Sequence, residues 1–411
     1  MGDTLIVADR VLPAIGGQVL APGFVRISRG IITEVGAGRP YGAADFELRA
    51  GVLAPGFVDL QVNGYFGVDL AGVDPLGWAN VVRRLPETGT TAFLPTFITG
   101  PVHKLAATLR TMAELVAVLP SGARVLGAHL EGPFISLRRR GAHDPAWIIE
   151  PEPEAVEELL NAGRDVLRVV TLAPERHGAI ATIRRLVDAG VLVSVGHSDA
   201  TADQVAAAGD AGARMVTHLF NGQAGMHHRQ PGVVGQALAD HRFTSGLITD
   251  LHHVAAPVCA IAFAAAPGRI AIVTDAAACA GMPPGRYQLG GKPIELPPGD
   301  GVPPLRSDGT LAGSSLRMDL GVANMVAAGV DLVTAVTAAT RVPADLMGRP
   351  DLGRLARGAA ADLVWLGEDL RTRATWIAGN IAYSDGGAGG AAEPAGRTHH
   401  SCVQGPVAGR P

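Results

Sequence analysis

Between residues 56 and 275 the chain alternates short apolar runs with longer stretches whose apolar positions recur at helical spacing. The runs GFVDLQV (56–62), TAFLPTF (91–97), RVLGAHL (124–130) and VLRVVTL (166–172) predict the first four strands. VLVSVGH (191–197), ARMVTHL (213–219), FTSGLIT (243–249) and RIAIVTD (269–275) predict four more. Their Val/Ile/Leu content is continuous rather than alternating with polar residues, as in strands buried on both faces. Between them, Asp74-Pro75 opens a helical segment to Leu85, with proline well placed in the first turn. Residues 101–119 are a long amphipathic stretch, and 151–163 has acids in its first turn and Gly163 at its end. ATIRRLVDAG and TADQVAAAGDAGA pattern likewise. Eight strands with intervening helices predict an α/β fold, a (β/α)8 TIM-type barrel. The rival is an open doubly wound sheet, but no G-x-G-x-x-G follows an early strand.

The ends carry a different pattern. MGDTLIVADRVL, GFVRISRGIITEVG and DFELRAGVLAPG read as strands with turn signals such as Ser28-Arg29-Gly30, and residues 361–383 are again strand-like. The expected organisation is a small β-sandwich built from both chain ends (1–55 and 351–385) around a barrel spanning 56–350. The tail 386–411 is rich in Gly, Ala and Pro and almost without large apolar residues, which predicts disorder. His399 and His400 lie in it and are expected to be solvated.

The chain has 411 residues, 47% of them hydrophobic, enough for a large core, and a net charge of −4 with both signs dispersed. No Lys/Arg run suggests a basic patch, so a nucleic-acid partner is not expected. The three cysteines have no C-x-x-C spacing, which argues against a disulfide framework or a cysteine zinc site and fits a reducing compartment. The N-terminus has no long apolar core, and VAAPVCAIAFAAAPG is too short to span a bilayer and is broken by Pro257. A cytoplasmic protein without a membrane partner is expected.

Four polar residues sit where these strands end. Glu131 leaves the third strand, His197 the fifth, His218 the sixth and Asp275 the eighth. In a barrel such exits converge on the rim that hosts the active site. Neutral imidazoles with a carboxylate suit a catalytic zinc that keeps one position open for water, and a cation offsets the cost of a buried charge at Glu131. Alone, each has an ordinary explanation: a strand-end histidine is more often an interior hydrogen-bonded group, and Asp275 suits a helix N-cap. Their coincidence on one rim favours a site. His143, in the loop after the third strand, reads from spacing as an ordinary surface histidine.

The motifs HLEGPFIS, GAHDP, GHSDAT, THLFNG, HHRQPGVVG and IVTDA resemble those of the N-acetylglucosamine-6-phosphate deacetylase family, within the metal-dependent amidohydrolase superfamily. APGFVDL (54–60) and GAAADLVWL (358–366) are shared more widely across that superfamily. The resemblance implies that Glu131, His197 and His218 hold the metal. Asp275 would serve as general base and then general acid, and His143 would polarise the acetamide carbonyl. Asn221 and Gly222 would contact the sugar, Arg229 and His253 the phosphate, and Leu311 would lie along the substrate. Such Arg and His contacts can come from a neighbouring subunit, which implies a homodimer. Leu251 stands where the family has glycine, and FNGQAG departs from its usual Phe-Asn-Ala-Met run. Many amidohydrolases carry His-x-His at the first strand exit and build a second metal position there. Here the place reads Gln61-Val62-Asn63, and amides are poor transition-metal ligands, so one tight divalent ion, Zn2+, is expected.

The implied activity is hydrolysis of the acetamide of N-acetylglucosamine 6-phosphate, a small-molecule amino-sugar phosphate, to acetate and glucosamine 6-phosphate. The alternatives are an amidohydrolase for another acylated amine or cyclic amide, including the galactosamine epimer, and a non-catalytic scaffold. A scaffold is expected to have lost ligands, and here all are present.

Overall fold

The computed structural model describes residues 3–72, 74–299 and 301–386, so the tail from 387 onward, with His399, His400 and Cys402, lies outside the described residues. Eight parallel strands form the barrel: Phe57–Val62, Thr90–Ile98, Ala128–Glu131, Leu167–Leu172, Leu192–Val195, Met215–Val216, Thr244–Ile248 and Ile270–Val273. Nearly every residue in them is buried, as continuous apolar runs require. The eighth strand meets the first through Asp275 N–H donating to Gln61 O at 2.9 Å and a bridge between Val62 and Ala276. Asp59 reinforces that seam, accepting from Thr274 N at 3.2 Å and from Thr274 Oγ1 at 2.6 Å.

Helices between the strands form the outer layer, and their starts follow local chemistry. Asp74 accepts from Leu76 N and Gly77 N ahead of Pro75–Arg84, and Thr201 with Gln204 forms a capping box at Ala202–Asp210. The expected strand 124–130 is interrupted. Gly127 takes φ +134°, and a side chain there would lie 2.5 Å from Val166 O, so pairing stops after Val125 and resumes at Ala128.

The chain ends form two four-stranded sheets. One is N-terminal (Thr4–Ala8, Gly23–Ser28, Ile31–Ala37, Phe46–Leu48), and the other joins Val52–Pro55 to Leu363–Leu366, Thr372–Ile377 and Asn380–Ser384. Ile6, Val25 and Leu53 pack with Leu363 and Trp376 in one apolar core between them. A hairpin, Gly285–Leu289 and Lys292–Leu296, follows the eighth strand and was not expected from the pattern. Its signal is Gly290-Gly291, both at positive φ, the two-residue turn that hairpins favour. Leu289, Ile294 and Leu296 pack on Ala277, Cys279 and Ala312, which places the hairpin over the eighth strand exit.

Candidate active site

Glu131 is the last residue of the third strand, and the chain turns at once because Gly132 takes φ +94°. A Cβ on Gly132 would lie 2.2 Å from Thr99 Oγ1, so no other residue fits without a shift. The turn leaves the Glu131 carboxylate facing two imidazoles. Oε1 is 3.2 Å from His197 Nε2 and 2.8 Å from His218 Nε2, and those two nitrogens are 3.1 Å apart. All three side chains are buried. His197, His218 and Asp275 have left-handed φ values of +46°, +26° and +52°, strained for side-chain-bearing residues. Strand pairing ends before each of them, which is why the expected strand 213–219 shrinks to Met215–Val216.

The other ring nitrogens assign the tautomers. His197 Nδ1 donates to Arg139 O at 2.8 Å and His218 Nδ1 to Asn221 O at 3.1 Å, because a carbonyl only accepts. In their neutral forms both rings therefore turn an Nε2 lone pair toward the space beside Glu131. His143 is the reverse. Thr99 N–H, which only donates, points at its Nδ1 at 3.3 Å, with Thr99 Oγ1 at 2.8 Å, so the proton sits on Nε2. His143 is buried, and its ring meets that of His197 edge-on at 4.3 Å. Spacing alone suggested a surface residue; the signal it missed is contact with the second strand exit at Thr99. His129 is a contrast two residues before Glu131: bonded to Leu60 O and Thr171 Oγ1, it is an interior histidine.

Glu131, His143 and His197 bring ligand atoms within 4.8 Å of one another, a grouping able to hold a metal ion. His218 Nε2 is closer to Glu131 than His143 is, since His143 Nε2 stands 3.8 Å from Glu131 Oε2. Ligands on a tetrahedral zinc at its usual bond lengths stand about 3.3 Å apart. The spacings of Glu131, His197 and His218 fit that geometry.

Electrostatics follow from burial and from this nest of charge. Burial alone would raise the Glu131 carboxyl, but hydrogen bonds and charge from His197 and His218 hold it well below its usual range. Burial opposes a charge on His218, yet the Glu131 carboxylate pushes it up to about 9. Burial, with the neighbouring His197, lowers His143 to about 3, so that ring is neutral. Asp275 is raised to about 6 by burial and by the Glu131 charge.

These groups line a cavity of about 210 Å³ together with Asn221, Gly222, His253 and Leu311. Asn63, Ile98, Leu289 and Thr310 also line it and were not singled out by the sequence as site residues. His253 donates from Nδ1 to Asp250 at 2.6 Å, whereas His252 is exposed. Leu251, between Asp250 and His253, takes φ +66°, the conformation for which glycine is the natural occupant. Arg229 is outside this group. It lies at the exposed tip of a turn closed by His227 and Gln230, bonded to His228, and the cavity wall holds no arginine or lysine among the described residues. The same turn exposes Met226.

The geometry is matched by relatives. The amidohydrolase family profile covers residues 52–382. An N-acetylglucosamine-6-phosphate deacetylase of Bos taurus is 39% identical over 349 residues, spanning 81% of this chain and 83% of its own. An N-acetylgalactosamine-6-phosphate deacetylase of Escherichia coli O157:H7 is 37% identical over 360 residues, 87% of this chain and 94% of its own. Among solved structures, a mutant N-acetyl-D-glucosamine-6-phosphate deacetylase from Mycobacterium smegmatis, in complex with N-acetyl-D-glucosamine-6-phosphate, superposes with a TM-score of 0.88. It is 36% identical and covers 93% of this chain and all of its own. No helix of the described residues is long and apolar enough to cross a membrane. The chain belongs to the amidohydrolase family, in the group of the N-acetylglucosamine-6-phosphate deacetylases.

Proposed function

We propose that this protein hydrolyses the acetamide of N-acetylglucosamine 6-phosphate to acetate and glucosamine 6-phosphate, with one divalent ion, Zn2+, held by Glu131, His197 and His218. The observation that carries the reading is the convergence of two imidazole lone pairs and a carboxylate beside Asp275 and an oppositely tautomeric His143. Two imidazoles and a carboxylate with an open position suit zinc. When bound, such an ion supplies an activated water at neutral pH and Lewis-acid polarisation.

The chain's own groups supply the rest. Asp275, with its carboxyl raised to about 6, is ionised at neutral pH yet basic enough to take the proton of the attacking water. Neutral His143 points an N–H from Nε2 into the cavity, where it stabilises the oxygen of the acetamide as charge develops. Asp275 then returns the proton to the nitrogen, since an amine leaves far more readily than an amide anion. Asn221 and Gly222 contact the sugar, and Leu311 lies along it.

The phosphate needs a cation that the cavity wall does not itself hold. His253, oriented by Asp250, is one contact. The exposed Arg229 turn suits delivery into the cavity of a second copy, the reading that makes the protein a homodimer. A phosphorylated sugar does not cross a bilayer unaided, which fits a cytoplasmic enzyme. The test is acetate release from N-acetylglucosamine 6-phosphate with and without a chelator, beside the galactosamine epimer that the Escherichia coli relative's name brings in. Chelator-sensitive release supports the reading; no release from either sugar overturns it.

A further inference from the structure

Resting on Asp275 as the proton carrier, we propose that Gln61 and Asn63 are positioning residues that commit one oxygen of Asp275 as an acceptor and leave the other to carry the proton. Asn63 Nδ2 donates to Asp275 Oδ1 at 2.7 Å, and Gln61 Nε2 donates to the same oxygen at 3.1 Å. Gln61 Nε2 also reaches Glu131 Oε1 at 3.0 Å, so one amide tethers two buried carboxylates that otherwise repel.

The amide orientations are chemically fixed. An ionised carboxylate only accepts, so the nitrogens must face Asp275 and Glu131 and the amide oxygens must face away. The result is visible: Gln61 Oε1 and Asn63 Oδ1 are buried with no donor. Unpaired buried acceptors are rare and costly, and two adjacent ones mark a place where another requirement prevails. The backbone contributes as well. Gln61 O accepts from Asp275 N at 2.9 Å, so the strand that supplies the amides also holds the Asp275 backbone at φ +52°.

Among the described residues no side chain donates to Asp275 Oδ2. An oxygen already accepting two hydrogen bonds is the less basic of the pair, so the proton lodges on Oδ2. Water gives that proton to Oδ2 as its oxygen bonds to the carbonyl carbon. Oδ2 returns it to the nitrogen as the C–N bond breaks, leaving Asp275 unchanged. The carboxyl need not rotate between the two transfers, and the amides prevent it from doing so.

The test is a double-mutant cycle on the metal-loaded enzyme with Asn63→Leu, Asp275→Asn and the two combined. Asn63→Leu removes the donor at similar volume. It is expected to lower kcat roughly 10- to 100-fold, with KM and metal content unchanged. In the Asp275→Asn background it is expected to cost nothing further, because residues acting as a unit are not additive. An unchanged kcat in Asn63→Leu, or losses that multiply in full, overturns the proposal. Normal turnover in Asp275→Asn alone shows instead that the underlying assignment of Asp275 is wrong. If Asn63→Leu does not fold, Gln61→Met, which keeps the side-chain length, carries the same cycle with the same two outcomes.

Discussion

His197 Nε2 and His218 Nε2 face each other at 3.1 Å while both Nδ1 protons are given to backbone carbonyls. Two lone pairs at that separation repel unless a proton or a cation lies between them. Without metal, the Glu131 carboxylate favours a proton on His218, which it raises to about 9. Metal must displace that proton. Binding of zinc to the metal-free protein near about pH 7.5 is therefore expected to release roughly one proton per subunit. Affinity should increase with pH up to about 9 and level off above it. Calorimetry in buffers of different ionisation enthalpy reads this directly, and binding without proton release would remove the nest from the metal site.

As the proposed base, Asp275 sets the acid side of the expected pH profile. Its carboxyl is raised to about 6, so it is protonated and useless as a base below that value and ionised above it. A divalent cation nearby favours the ionised form and moves the value down. The acid limb of kcat/KM is thus expected at or below pH 6, with activity falling as pH drops. A limb centred above about pH 7 would point to another group.

The tautomer of His143 separates it from the proposed metal ligands. His143→Gln is expected to keep its metal and lose about 10²–10³ in kcat, the usual cost of removing one oxyanion donor. His197→Ala should lose metal affinity first. Elemental analysis beside kinetics distinguishes the two; loss of metal from His143→Gln would make that residue a ligand.

Arg229 is testable through the partner. Arg229→Ala should raise KM for the phosphorylated sugar and leave a phosphate-free analogue little affected. Mixed dimers of Arg229→Ala with Glu131→Ala should recover activity, because one cavity then has an intact nest and an intact arginine. No recovery in verified mixed dimers would place Arg229 outside the partner's site.

Asp59 gives a prediction about stability. Burial raises it to about 7 despite its hydrogen bonds with Thr274, against 3.8 for the free side chain. Between those values the unfolded chain has lost a proton that the folded chain retains. Stability contributed here therefore declines as pH rises from about 4 to about 7 and is level above. Asp59→Asn should flatten that window in denaturant unfolding.

The barrel was legible because strands buried on both faces must be continuously apolar, and because Glu131, His197, His218 and Asp275 interrupt that pattern at their ends. His143 was not legible from its own spacing. Its tautomer depends on a Thr99 N–H brought from another strand exit, a long-range contact with no local signature. Gln61 and Asn63 appeared in the sequence only as a departure from His-x-His, and their joint hold on one oxygen needed the folded geometry. The hairpin over the cavity is marked by Gly290-Gly291, a local signal that stands apart from the strand-and-helix alternation ending at Asp275. The Arg229 turn is local and readable, and within the described residues the Arg229 side chain is exposed and bonded to the neighbouring His228.

Metal-free protein should be titrated with zinc while acetate release from N-acetylglucosamine 6-phosphate is followed. Turnover is expected to be absent at the start, rise linearly with zinc and level off at one equivalent per subunit. Full activity in rigorously metal-free protein, or a rise that continues to two equivalents, would contradict hydrolysis driven by a single metal.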